Sequence, residues 1–341
     1  MLFNSTVDVH LHTEAAVDFE THELLAVVAS MYYEQDKTQT EIAEALGLSR
    51  VKVYRLLREA RESNIVQIVI DWPIKTDARL QDALIAQFGL KDARVLRGSV
   101  DDQPGQLRQL GHMAARFLEP LLLQSTSMAI CLGRTTYEII HAIRPEVQAN
   151  VQIVQATGAM PSGFGEYDSS ALARQLAEKL GGQVMYLAAP TVVDTPQAAM
   201  IIRRQRDIQH TLTAARSANM ALIGIGNLDP DASSFVRAGF LSRDELSSFK
   251  AAGAVGDVAW HLYNEQGEFF ESEFSARVIG ITPDDLKGIA TTIAAAAGAH
   301  KVRAIFGALR TGAVDVLCTD DRTARAVLRL ADPDQSYLNG A

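Results

Sequence analysis

The sequence predicts an α/β protein with two domains: an all-α, winged helix-turn-helix unit at the N-terminus and a doubly wound, mostly parallel sheet after it. Three observations carry this reading. Between Glu20 and Ala60 apolar residues recur at helical spacing, with helix start and stop signals in register. Beyond Thr76 short apolar runs alternate with amphipathic stretches of helix length, the pattern of buried parallel strands covered on both faces. Between the two, Asp71-Trp72-Pro73 interrupts both patterns, because Pro73 gives no N–H to a ladder and pushes its predecessor to an extended form. A length of 341 residues suits one small and one large domain, so the expected division is an arm (1–19), a first domain (20–72) and a second (73–341).

The apolar fraction of 48% suffices for two cores, and no apolar run has the length of a membrane span. The opening MLFNSTVDVHLHTEAAVDFE lacks a basic segment followed by an apolar one, so a soluble, cytoplasmic protein is expected. Cys131 and Cys318 each fall in an apolar run and read as buried, reduced thiols. Neither belongs to a metal-spaced cluster, and the histidines form none, so no metal and no cofactor is expected. The net charge of −9 argues against nucleic acid only if it is evenly spread, since phosphate attraction depends on charge within about 8 to 10 Å.

Residues 1–19 show little periodicity and are expected to form a loose arm. From Glu20 onward, Leu24, Leu25, Val27, Val28, Met31 and Tyr32 mark a first helix that ends near Glu34-Gln35-Asp36. Thr38 and Glu41 have capping-box spacing and open a short second helix with Ile42, Ala43 and Leu46 on one face. Gly47 supplies the left-handed residue of a sharp turn, Leu48 plugs the corner, and Ser49 caps a third helix over 50–60, with Val53, Leu56 and Leu57 toward the core. Over residues 49–61 five cations (Arg50, Lys52, Arg55, Arg58, Arg61) face one anion, Glu59, a basic stripe that the overall charge conceals. A short helix, a glycine corner and a second helix hold the latter at an angle that lets its first turns enter the major groove of double-stranded DNA.

The candidate DNA-contacting residues are therefore Ser49, Arg50, Lys52, Val53, Tyr54 and Arg55, with Gln39 and Thr40 as phosphate contacts at the start of the preceding helix. Arg50 is open to either a base or a phosphate role. Residues 65–70 alternate around Gln67 and read as a strand placed as a wing.

In the second domain, strands are expected at 93–96, 128–132, 151–156, 184–188, 220–225 and 314–318, with helices at 107–123, 169–180 and 196–212. The Ala-rich tract 289–297 is ambiguous by propensity; Gly298 and a better helix at 300–309 make it a strand. Ligands of such folds bind beyond the carboxyl ends of the strands. Four such ends carry suggestive chemistry: Gly133-Arg134-Thr135-Thr136, Gly158, Gly224-Ile225-Gly226-Asn227, and Lys301. Gly224-Ile225-Gly226 lacks the third glycine of a dinucleotide fingerprint. Each feature alone equally suits a tight turn, a cap or a solvated lysine; their recurrence at successive strand ends points to a small-molecule site.

With these motifs in place, the sequence resembles the SorC family of sugar-responsive bacterial regulators, related to the DeoR type. The likeness spans about Leu24 to Leu330. It rests on TQTEIAEALGLSRVKVYRLLREARESNIVQIVI in the first domain, and on CLGRTT, VQATG, YLAAPTVVD, ANMALIGIGNLDPDASSF, AGAVGDVAWHLYNEQG, HKVRAIFGALRTGAVDVLCTD and DRTARAVL in the second. The resemblance implies a second domain folded like sugar-phosphate isomerases and deaminases, assembly into a dimer or tetramer, and an effector that is a sugar phosphate or polyol. It makes Gly133 to Thr136 the phosphate-facing loop, Asp257 a hydroxyl acceptor and Lys301 a cation at the ligand. The chain departs from the family pattern at Leu132-Gly133 and at Ala297-Gly298.

The expected function is a transcription factor whose operator binding is modulated by that effector, controlling a carbohydrate catabolic operon. The alternatives are a sugar-phosphate enzyme with an accessory helix-turn-helix, and a module whose helices dock protein. An enzyme needs a positioned acid or base with a partner, and His141, His261, Asp168 and Asp257 offer no clear pair.

Overall fold

The computed structural model describes residues 11–63, 65–66, 73–98, 103–131, 133–145, 148–161 and 169–333. The chain separates into two compact units, Met1–Asp71 and Trp72–Ala341.

The first unit contains α1 (Leu11–Tyr33), α2 (Gln39–Leu46) and α3 (Arg50–Glu62). Helix α1 begins at Leu11, so residues 11–19 are helical where a loose arm was expected. The stretch from His12 to Glu20 has neither Gly nor Pro, and a helix propagates from an anchored turn without needing an apolar stripe. At α2 the capping box is complete: Thr38 Oγ1 accepts the Glu41 N–H at 3.3 Å, and the Glu41 carboxylate accepts the Thr38 N–H at 2.8 Å. Those hydrogen bonds hold the Glu41 carboxyl below its ordinary pKa. Gly47 closes the helix at φ 64°, a conformation that costs a residue with a Cβ roughly 1–2 kcal/mol. Ser49 Oγ accepts the Lys52 N–H at 3.2 Å and starts α3. Leu25, Val28, Ile42, Val53, Leu56 and Leu57 make the core of this unit. The strand expected at 65–70 lies largely outside the described residues.

The second unit runs α4 (Ala78–Phe88), β1 (Asp92–Leu96), α5 (Gln103–Leu122), β2 (Ser127–Ile130), α6 (Arg134–Ala142), β3 (Gln152–Gln155), α7 (Ser169–Leu180), β4 (Val184–Met185), α8 (Pro196–Arg203), α9 (Arg206–Arg216) and β5 (Met220–Gly224). It continues with β6 (Gly226–Asn227), α10 (Ser234–Arg237), α11 (Arg243–Ala251), β7 (Ala254–Val258), β8 (His261–Asn264), α12 (Glu273–Arg277), α13 (Pro283–Gly288), β9 (Thr292–Ala295), α14 (Val302–Arg310), β10 (Val316–Asp320) and α15 (Asp321–Ala331). Seven strands form one parallel sheet in the order β1-β10-β9-β5-β2-β3-β4. Two apolar cores cover its faces, one packed by α4, α9, α14 and α15, the other by α5, α6 and α7.

The Ala-rich tract is indeed a strand, β9, and all four of its residues are buried. Its alanines sit at the middle of the sheet, where small side chains let the covering helices approach; this tertiary demand overrides their helical propensity. The expected helix 196–212 divides at Arg204-Gln205 into α8 and α9. The helix expected at 300–309 opens as a short 3₁₀ turn, Ala299–Lys301, before α14. A three-stranded antiparallel sheet, β6-β7-β8, was not anticipated. It packs with α10 to α12 around its own core of Phe235, Leu246, Trp260, Leu262 and Phe274.

Candidate functional site

In the seven-stranded sheet the chain leaves β2 toward β3 on one side and leaves β5 toward β9 on the other. The adjacent β2 and β5 are thus a topological switch point, where loops part and leave a crevice at the carboxyl ends of the strands. An open-mouthed cleft lies there. It is lined by Cys131, Gly133, Arg134, Thr135, Gly224 and Ile225, and by Gly226, Asn227, Asp257, Trp260 and Lys301.

Helix α6 begins at this cleft. The Thr136 hydroxyl accepts the Gly133 N–H at 2.7 Å and donates to the Gly133 carbonyl at 2.8 Å, which locks the turn. The first N–H groups of a helix have no intrahelical acceptor and carry the positive end of its dipole, so Arg134 and Thr135 present an anion-attracting edge. Arg134 makes no ion pair among the described residues and adds a full charge there. Lys301, held by the 3₁₀ turn after Gly298, donates from Nζ to the Ile225 carbonyl at 2.7 Å. Burial pushes its amine down to about 8; the charge of Arg134 works in the same direction and Asp257 opposes both.

Asp257 comes from β7, paired with Gly226 of β6. A Cβ at 226 would stand 1.8 Å from Asp257 Oδ1, so only glycine lets this carboxyl lie where it does. Burial raises the carboxyl to about 7, against the pull of Lys301 and a hydrogen bond from the Trp260 N–H. It can therefore accept from a hydroxyl or, once protonated, donate to one. The β7–β8 connection is Ala259-Trp260, both at positive φ (48° and 70°), the twist of a type I′ hairpin without the usual Asn or Gly. Strain of roughly 1–2 kcal/mol per residue is held by the Trp260 N–H bond to Asp257 and by edge-to-face contacts of its indole with Phe235 (5.3 Å) and Phe240 (5.2 Å). The Cys131 thiol, pushed up to about 12 by burial, stays neutral at the cleft floor.

On the first unit, Arg50, Lys52, Tyr54 and Arg55 are exposed along α3. Arg50 turns toward α2 and lines an open, polar groove with Tyr32, Tyr33, Lys37, Thr38, Gln39 and Thr40.

A family profile described as "Putative sugar-binding domain" matches residues 73–329. The chain belongs to the SorC family of sugar-responsive transcriptional regulators. It is 32% identical over 324 residues to the transcriptional regulator LsrR of Enterobacter sp. (strain 638), covering 93% of this chain and 96% of that one. It is 29% identical to the deoxyribonucleoside regulator of Bacillus subtilis (strain 168), over 92% of this chain and 99% of that one. The crystal structure of the full-length sorbitol operon regulator SorC from Klebsiella pneumoniae superposes with a TM-score of 0.68 at 27% identity, covering 91% of this chain and 99% of that one. These relatives are named as regulators, not enzymes.

For this SorC-family chain the structure gathers Gly133, Arg134, Thr135, Gly224, Gly226, Asp257 and Lys301 around one cleft. Thr136 is wholly buried beneath the α6 turn and acts through Gly133. Gly158 is elsewhere. Its Cβ would lie 2.5 Å from the Ala189 and Pro190 backbones, so it serves close chain packing between strands and loops and not the cleft. Among the α3 candidates Val53 is wholly buried in the three-helix core, which removes it as a DNA contact; only its core assignment stands. Ser49 spends its hydroxyl on the helix cap.

Sequence reasoning missed Trp260 and Ser234 in the cleft and Val51 on α3, which is 62% exposed. Trp260 gave no signal because its hairpin lacks turn-forming residues. Val51 was legible as an apolar residue out of phase with Val53, Leu56 and Leu57.

Proposed function

We propose that this chain is a DNA-binding regulator whose cleft in the second unit takes an anionic, hydroxyl-rich effector, a sugar phosphate or phosphorylated polyol. The observation that carries the reading is the gathering of unlike groups around one cleft. Arg134, Lys301 and the α6 N-terminus supply an anion-attracting side; Asp257 and Asn227 supply hydroxyl partners, and Trp260 an apolar face for sugar carbons. A dianionic phosphate placed against Lys301 stabilises the protonated amine and relieves the cost of burying it, so affinity and electrostatics point the same way.

In the first unit, α2 and α3 act as a helix-turn-helix. Gln39, Thr40 and Arg50 meet phosphates from the groove they share, and Lys52, Tyr54 and Arg55 extend along the major groove. Effector binding shifts operator affinity through its preference for one of two subunit arrangements in a dimer or tetramer, a coupling of about 1–3 kcal/mol in typical cases.

The test is a thermal-shift screen of the full chain against free sugars, polyols and their phosphates, followed by gel shifts on duplex DNA with each hit. Selective stabilisation by phosphorylated compounds, together with an altered gel shift, supports the reading. Stabilisation by neutral sugars alone refutes the anionic effector, and no duplex affinity even at low salt refutes the DNA reading.

A further inference from the structure

Helix α3 carries one side chain that neither its core nor its charge explains. Val53, Leu56, Leu57 and Ala60 form the buried stripe. Val51 lies on the opposite side, one turn before Tyr54 and Arg55 and two turns before Arg58, at the middle of the solvent face of the first turn. It is 62% exposed and Tyr54 is 51% exposed, the two large apolar side chains that α3 shows to water. Arg50 and Lys52, its immediate neighbours, are exposed on either side of it.

A valine fenced by cations does not suit an apolar protein partner, because docking there would desolvate Arg50, Lys52 and Arg55 without anions to receive them. It does suit the floor of a major groove. There the flanking cations diverge toward the two phosphate walls, while the side chain between them meets base edges. The apolar group on that floor is the C5-methyl of thymine.

We propose that Val51 is a specificity-determining residue that recognises a thymine methyl group in the major groove; this rests on the DNA-binding reading of α2 and α3. Arg50 and Lys52 then supply phosphate affinity that is blind to sequence, and Val51 supplies selection.

The experiment uses the full chain to select duplexes from a randomised pool, then measures affinity for the selected duplex with each thymine singly replaced by deoxyuridine. That replacement removes one methyl group and leaves every hydrogen-bonding group unchanged. At one defined position the loss should be about fourfold for the parent chain, the fold-change equivalent of ~0.8 kcal/mol for one methyl group. Val51→Ala should bind the thymine and uracil duplexes equally at that position. Its affinity for random-sequence duplex should match the parent's, which shows that the helix is intact. Equal uracil penalties in parent and variant, or no penalty in the parent, overturn the proposal. Failure of the parent to enrich any duplex overturns the DNA reading itself, a result distinct from enrichment without thymine dependence.

Discussion

Replacing Lys301 by Met probes the cleft most directly, because the substitution keeps the stem's reach and deletes the charge. Burial lowers the amine from 10.5 to about 8, so keeping it protonated without a ligand costs on the order of 3 kcal/mol. Against this stands its 2.7 Å bond to the Ile225 carbonyl, charge-assisted and worth about 1.5–3 kcal/mol. The two nearly cancel. Ligand-free Lys301→Met should therefore melt within a few degrees of the parent, at roughly 2–4 °C per kcal/mol for a unit of this size.

Ligand binding has no such compensation. Loss of one charge-assisted contact to an anion removes about 1.5–3 kcal/mol, a rise in Kd of about 10- to 150-fold. Differential scanning fluorimetry with a sugar phosphate from the screen reads both quantities in one experiment. The parent's affinity should also fall as pH rises past about 8, where Lys301 loses its proton, and Lys301→Met should show no such fall. The native pKa is depressed, so the burial cost is present below pH 8 and is relieved between about 8 and 10.5. Over that window the ligand-free parent should gain stability relative to the variant. An unchanged ligand-induced shift in Lys301→Met, with the parent's pH dependence, would remove Lys301 from the site.

Gly226→Ala places a Cβ 1.8 Å from Asp257 Oδ1; we expect lost effector binding with a destabilisation of about 1–3 kcal/mol from overpacking, and full affinity in a titration contradicts the placement of Asp257. Arg50→Ala should weaken binding evenly across DNA sequences and lower the salt slope by about one, as for a phosphate contact; loss confined to one base pair would make Arg50 a base reader. Thr38→Val removes the acceptor for the Glu41 N–H and should cost about 1 kcal/mol, seen as faster hydrogen exchange at that amide; unchanged protection would mean the cap is redundant.

What the chain announces through near neighbours was legible before any coordinates. Thr38 and Glu41, Gly47 and Ser49 act over three or four residues, so the α2–α3 corner could be read from spacing alone. The parallel strands were legible as well, because a strand covered on both faces must be a continuous apolar run wherever it lies in the sheet. Strand ends rich in Gly and Thr marked the end of the sheet where the cleft lies.

The cleft's actual composition depends on contacts that no local pattern encodes. Gly226 needs to be glycine because of Asp257, and Lys301 hydrogen-bonds a carbonyl at Ile225, 76 positions away. Gly158 has the same local signature as Gly133, yet it packs against Ala189 and Pro190 instead of a ligand. Trp260 reaches the cleft through a hairpin whose strained turn is stabilised by the nearby Asp257 carboxyl and by Phe235 and Phe240, two rings that its neighbours do not reveal. Short-range hydrogen bonds and burial periodicity are written along the chain, whereas the desolvation that shifts Asp257 and Lys301 exists once distant segments close around them.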